Sequence, residues 1–285
     1  MRCYVPDYEL RRARSLVDAL EMLGSGDGWR PIAGGTDLMV LFNAGKLPFE
    51  KFVSVRDVSE LRTIIVTDSE VRLGGAVTYT QIRQHATLQR EFPLLCLAAS
   101  WTGGIANQNR GTVGGNIVNA SPAADSSPAL LVYDAEITLI STGGARSVPY
   151  RQFHTGYRQT QLRPDELVSE IRLPRRRAHW RHYGRKVGPR KAQAISKVCL
   201  AAGAELEDGH IADIRIAVGS VAPVPLRCIK TEAMLRGGEL RTGLLAQAQE
   251  LIRTEIQPIT DIRSTEEYRT LVVANLLTEF LQGVQ

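Results

Sequence analysis

Two short loops of small residues, at positions 31–38 and 110–131, limit what this chain can fold into. The first reads PIAGGTDL: an apolar, strand-like entry, a Gly34-Gly35 turn, then Thr36 and Asp37 opening an apolar run. The second reads RGTVGGNIVNASPAADSSPALL, with Gly114, Gly115 and Asn116 followed by small and hydroxylated residues around one carboxylate, Asp125. Side chains this small allow a ligand to approach the main chain, whose N–H groups can then face phosphate or ring oxygens. A strand, a glycine turn and a helix start is the usual geometry for holding phosphate. Singly, paired glycines mark ordinary turns. Two such loops with these neighbours are far more specific.

With 285 residues the chain is long enough for two domains with separate cores. A net charge of +5, spread along the sequence, lacks the clustered basic face that nucleic-acid binding requires. The four cysteines (Cys3, Cys96, Cys199, Cys228) form no CxxC pair, so neither zinc nor an iron–sulfur cluster is encoded. No stretch reaches membrane-spanning length, and Arg11-Arg12 lacks the apolar segment an export signal needs. The Asn119-Ala120-Ser121 sequon carries no weight without such a signal. The expected compartment is the cytoplasm.

Spacing predicts a helix after Ser15 up to Gly24, and a strand over 30–33 that leads into the first loop. A helix over 37–44 and a strand over 51–55 follow. Residues 64–66 and 71–73 read as a hairpin, 80–88 and 94–100 as helices, and 136–140 and 167–173 as strands. From Ile171 to Ala204 there is no Asp or Glu, while Arg175, Arg176, Arg177 and further cations crowd in. That stretch reads as a solvated linker with a basic rim, or as a surface facing an acidic partner or a cofactor phosphate. Beyond it, 198–206 and 211–218 form a hairpin pattern across Asp208-Gly209, a type I′ signal. Residues 228–235, 244–254 and 265–280 have helical spacing, the last with Tyr268, Leu271, Val272, Asn275, Leu276 and Glu279 along one side. The histidines lack metal-ligand spacing, and neither a G-x-S-x-G elbow nor a Walker motif is present.

Ala33-Gly34-Gly35-Thr36-Asp37-Leu38, Thr112-Val113-Gly114-Gly115-Asn116-Ile117 and Ser121-Pro122-Ala123-Ala124-Asp125 resemble the A-G-G-T-D-L, T-V-G-G-N-I and S-P-x-x-D pattern of the flavin-binding medium subunit of molybdenum hydroxylases. That group includes xanthine dehydrogenase and aerobic carbon monoxide dehydrogenase, and the resemblance spans essentially the whole chain. It implies an α+β protein. Residues 1–174 would form an FAD-binding domain of two α/β subdomains, of the PCMH or vanillyl-alcohol-oxidase type. Residues 175–285 would form a smaller C-terminal domain with an antiparallel sheet and a helical cluster.

The implied cofactor is FAD, which carries the redox chemistry and so accounts for the missing catalytic constellations. Pro31, Ile32, Ala33, Gly34, Gly35, Thr36, Asp37 and Leu38, with Thr112, Val113, Gly114, Gly115 and Asn116, would hold it. Asp125 would meet the sugar chain, or serve as a helix N-cap, or both. Thr78 lies at a glycine–threonine turn that the family places near the flavin. Lys197 falls where the family has a lysine reaching the ring, its plain alternative being a solvated strand-edge lysine. Leu167 and Val168 align with an apolar residue against the ring or are simple core. Trp101 or Thr102 would lie beside the isoalloxazine. One departure is Gln108, where many relatives carry the arginine of Q-I-R-N.

The implied partners are a small subunit with two 2Fe–2S clusters and a large molybdenum-cofactor subunit, assembled as a dimer of heterotrimers. NAD⁺ is one candidate acceptor. Covalent-flavin oxidases share the broad fold but need a histidine in a flavin-linking loop, which neither glycine loop has. The cell-wall precursor reductase needs a substrate-domain acid and serine with no match here. A non-enzymatic nucleotide-binding protein is the remaining rival.

Overall fold

The computed structural model describes residues 7–190 and 193–284, so Cys3 lies outside the described residues. The chain opens with β1 (Glu9–Arg12) and α1 (Leu16–Gly24), whose cap Ser15 accepts from the Asp18 N–H at 3.1 Å. β2 (Arg30–Ile32) runs through the first glycine loop into α2 (Leu38–Asn43). β3 (Lys51–Ser54) then lies between β1 and β2, parallel to both. The apolar face of α1, with Ala19, Leu20 and Leu23, closes this three-stranded sheet over Val53, Val55 and Leu61.

A second unit begins with the hairpin β4 (Ile64–Val66) and β5 (Glu70–Gly74). Six helices follow: α3 (Tyr79–Gln84), α4 (Ala86–Glu91), α5 (Pro93–Trp101), α6 (Ile105–Arg110), α7 (Val113–Asn119) and α8 (Ser126–Val132). The single helix expected over 80–88 is thus two, because His85 adopts extended backbone (φ −80°, ψ 117°) between α3 and α4. The chain returns through β6 (Glu136–Ser141), β7 (Gly144–Pro149), α9 (Tyr150–Phe153), the short pair β8 (His154–Gly156) and β9 (Gln159–Thr160), and β10 (Leu167–Pro174). These build an antiparallel sheet in the order β4-β5-β10-β6-β7. Leu73, Ile137, Leu139 and Ile171 from the sheet, with Ile82, Leu95, Ile117 and Leu130 from the helices, form one core.

The acid-free stretch is not a linker. It contains β11 (Arg181–Val187) and the start of β12 (Val198–Glu207), which pair with β13 (His210–Gly219) and β14 (Leu226–Arg227) in an antiparallel sheet. Several of its cations pair with distant acids: Arg175 with Glu91 at 2.6 Å and Arg177 with Asp134 at 2.5 Å. Asp208 and Gly209 both take positive φ (49° and 80°), as the type I′ signal predicts. β12 is buried from Val198 to Ala204, because α8 covers one face of the sheet while α10 (Ile229–Leu235) and α12 (Glu266–Gly283) pack on it with α11 (Thr242–Glu255).

In α12 the buried stripe differs from the one read in the sequence. Arg269, Val273, Leu276, Leu277 and Phe280 face the core, while Tyr268, Leu271, Asn275 and Glu279 are exposed. Arg269 belongs inside because its guanidinium donates to the Lys197 and Ser220 carbonyls (2.6 and 2.9 Å) and to Asp261 at 2.7 Å. Among the described residues no helix is long and apolar enough to cross a membrane.

Candidate functional site

Three loops from the first two units interlock. Thr78 caps α3 in a capping box with Gln81, Thr112 caps α7, and the two threonines form an antiparallel bridge. A Cβ placed on Gly34 would lie 2.0 Å from the Arg110 carbonyl oxygen, and one on Gly114 would lie 2.5 Å from that of Gly75. These two glycines therefore admit neighbouring main chain. Gly35 instead holds a left-handed turn (φ 73°), and Gly115 is exposed.

The backbone donors of the two loops differ sharply. In the second loop, Val113 N–H donates to Val77 O, Gly114 N–H to Gly75 O and Asn116 N–H to Thr112 O (2.9, 3.0 and 3.0 Å). Gly115 N–H donates to Thr112 Oγ1 at 3.2 Å. In the first loop, the N–H groups of Gly34, Gly35, Thr36, Asp37 and Leu38 have no acceptor among the described residues. Successive free N–H groups at a turn form an anion-binding concavity. The first loop leaves its donors open, and the second spends its own within the chain. Arg110 Nε reaches the Gly34 carbonyl at 3.4 Å, and Asn119 Nδ2 donates to Asp37 Oδ1 at 3.0 Å, so α6 and α7 both hold the cradle. Beside it, a recess of about 330 Å³ has Arg56, Arg62 and Arg110 in its lining.

Asp125 stands at the start of α8, yet its carboxylate caps no helix N–H. Oδ2 accepts from Lys186 Nζ and Oδ1 from Ser196 Oγ, both at 2.6 Å. Lys186 also donates to the Trp101 carbonyl at 3.1 Å. Burial raises the Asp125 pKa above the ordinary carboxylate value, against the pull of Lys186 and Ser196. Next door, Ser126 Oγ donates to Asn116 Oδ1 at 2.9 Å and pairs with the Tyr79 hydroxyl at 3.2 Å, tying the second glycine loop to the Asp125 segment.

The remaining expected residues are more dispersed. Thr102 ends α5 with its hydroxyl donating to Ala98 O at 3.0 Å. Val168 is buried at a bulge in β10, its carbonyl against Gly75. Lys197 lays its ammonium over the Tyr268 ring, 5.2 Å from the centroid, and a different lysine, Lys186, reaches Asp125. Lys186, Ser196, Arg110 and Asn119 escaped the sequence reading. The signal for Lys186 was its place among cations with no acid nearby in sequence. Gln108 is buried, donates to the Ser100 carbonyl at 3.0 Å and accepts from Arg83 at 2.5 Å. A guanidinium from α3 thus stands beside the position where many relatives carry an arginine.

The site thus lies between two α/β units and is flanked by a third sheet-and-helix unit that delivers Lys186 and Ser196. The family described as FAD binding domain in molybdopterin dehydrogenase matches residues 6–176, and the CO dehydrogenase flavoprotein C-terminal domain matches residues 183–284. The chain is 32% identical over 267 residues to the xanthine dehydrogenase FAD-binding subunit of Escherichia coli O157:H7, covering 93% of this chain and 91% of that one. It is 30% identical over 281 residues to the glyceraldehyde dehydrogenase medium chain of Sulfolobus acidocaldarius, covering 99% of each. Among solved structures, carbon monoxide dehydrogenase from Hydrogenophaga pseudoflava, in a form lacking the Mo-pyranopterin moiety of its molybdenum cofactor, superposes with a TM-score of 0.93. The identity is 26%, with 99% of this chain and 98% of that one covered.

The chain belongs to the FAD-binding medium subunits of the xanthine dehydrogenase and carbon monoxide dehydrogenase family. It is an oxidoreductase subunit, and its cofactor is FAD. The residues present fit that group: a pyrophosphate needs several main-chain donors, and the first loop has five N–H groups without an acceptor among the described residues.

Proposed function

We propose that this chain is the electron-output subunit of a molybdenum hydroxylase. It would pair with a small iron–sulfur subunit and a large molybdenum subunit, and pass electrons from the clusters to NAD⁺ or another acceptor. The observation that carries the reading is the run of five N–H groups from Gly34 to Leu38 that have no acceptor among the described residues. When bound, FAD supplies the exchange between single-electron clusters and a two-electron acceptor.

The chain's own residues bind and orient. In this reading, residues 33–38 hold the pyrophosphate, and Thr112 to Asn116 keep that cradle in place. Asp125 accepts from a sugar hydroxyl, and Lys186 supplies a buried cation beside the electron-rich part of the ring system. Thr78, Thr102, Val168 and Lys197 belong to the walls around it. The FAD-binding domain ends at about residue 174, and the C-terminal domain contributes Lys186 and Ser196 from β11 and the turn before β12.

The test is to purify the chain alone and precipitate it with acid. Release of one FAD per chain into the supernatant supports the reading, whereas FMN, or colour that stays in the pellet, overturns it. The isolated chain should reduce an artificial dye with NADH and hydroxylate no purine, aldehyde or N-heterocycle. Substrate-driven flavin reduction should appear only once both partner subunits are added. Hydroxylation by the chain alone, free of molybdenum and iron, would make it a stand-alone oxidase.

A further inference from the structure

At the far end of α8 from Asp125 lies a second site, in a cavity of about 640 Å³ on the seam between the five-stranded sheet and the C-terminal sheet. Seven helical residues put the two ends about 10 Å apart. Five guanidiniums line the cavity, from Arg151, Arg172, Arg176, Arg215 and Arg227, against three carboxylates, Glu70, Asp134 and Glu136. Arg172 is committed to Glu70 and Glu136 at 2.9 and 3.0 Å. Arg227 lies 2.6 Å and Arg215 3.4 Å from Asp134. Including the paired neighbours behind them (Arg72, Arg177 and Arg236 against Asp213 and Glu232) leaves the balance cationic.

Arg151 and Arg176 stand apart from this network. Both are exposed on the rim, and neither guanidinium has an ion pair or hydrogen bond among the described residues. Pro149 and Pro174 give the cavity a half-buried apolar surface, while Tyr150 is buried beneath it with its hydroxyl donating to Ser127 Oγ at 2.7 Å. A cavity of this size has room for a small molecule, and its charged lining, with cations in excess, favours an anionic one. An excess of two guanidiniums, each able to present a planar fork, matches a phosphate group.

We propose that this seam binds a small organic phosphate monoester, with its phosphate between Arg151 and Arg176 and its body against Pro149 and Pro174. The site touches both domains, so its ligand would bridge them. The site is distinct from the flavin cradle and does not depend on what the flavin does.

The experiment is calorimetric titration of the full, flavin-loaded chain with 5′-AMP at low salt, with adenosine and inorganic phosphate as controls. Saturable binding of one AMP per chain is expected, weaker for either control. Arg151→Ala/Arg176→Ala should weaken AMP about tenfold or more while flavin content stays unchanged, since both side chains are exposed and unpartnered. Absence of saturable AMP binding up to about 10 mM would overturn the proposal. So would binding indifferent to the double substitution, or AMP that enters only as flavin leaves. Binding of an acidic protein segment, but of no small phosphate, would also overturn it.

Discussion

The ammonium of Lys186 lies 2.6 Å from the carboxylate of Asp125, and more than nine-tenths of each side chain is buried. The pair joins the two domains. Removing one partner leaves a buried charge uncompensated, whereas removing both leaves a neutral gap. Lys186→Met is therefore expected to destabilise the chain by roughly 3 kcal/mol and to lower its flavin content. Asp125→Asn combined with Lys186→Met should cost less than the two single changes added together. Urea unfolding of the four proteins in a double-mutant cycle measures the coupling. Strict additivity would mean that the two groups do not act as a pair.

The glycines of the two loops should respond differently to a methyl group. In Gly34→Ala the new Cβ meets the Arg110 carbonyl oxygen at 2.0 Å, which forces two backbone segments apart. A loss of about 3 kcal/mol of stability is expected, with flavin loss as a consequence. Gly115 is exposed, and its Cβ would meet only Thr112 Oγ1, at 2.9 Å. Gly115→Val presses on the hydroxyl that caps α7 and should cost about 1 kcal/mol, well below the loss in Gly34→Ala, while reducing flavin content. Parallel thermal melts and flavin absorbance separate the two behaviours.

Acid should weaken the chain through His182. Burial, aided by the charge of His179, holds His182 down to a pKa of about 4 from an ordinary 6.5, and its Nε2 has no hydrogen-bond partner among the described residues. The unfolded chain binds the proton more readily than the folded one between these values. Stability therefore falls as pH drops through that window. The fall in urea midpoint between about pH 7 and about pH 5 should be smaller in His182→Gln. An identical pH dependence in the variant would remove His182 from the account.

Asp261 behaves in the opposite sense. Burial works against its charge, but the Arg263 N–H and side chain and the Arg269 charge pull its pKa down to about 2. Its contribution is present above the ordinary value of 3.8 and is lost as pH falls towards 2. Asp261→Asn would leave the Arg269 guanidinium, 3% exposed, without its counter-charge. A destabilisation of about 3 kcal/mol at neutral pH is expected by urea titration, with the gap from the parent narrowing below about pH 4.

What the sequence made legible was local. The glycine loops, the Ser15 cap and the Asp208-Gly209 turn each follow from a few adjacent residues, and each takes its expected form. What it hid depends on pairing at a distance. Lys186 and Asp125 are separated by 61 positions, and nothing near either residue announces the other. The acid-free stretch looked like a solvated linker because its counter-charges, Glu91, Asp125 and Asp134, lie far upstream. The stripe of α12 was misjudged for a related reason. Arg269 reads as a surface residue until two carbonyls and Asp261 are gathered around it.

The unequal division of donors between the two glycine loops also has a kinetic side. Amide protons of residues 113–116 already have acceptors within the chain, so the second loop needs no FAD to be built. Those of residues 34–38 have no acceptor among the described residues and should exchange with solvent deuterium quickly in the flavin-free protein. Loading with FAD should slow exchange across 34–38 and leave 113–116 almost as before. The first loop then serves as a direct gauge of occupancy that requires neither colour nor turnover.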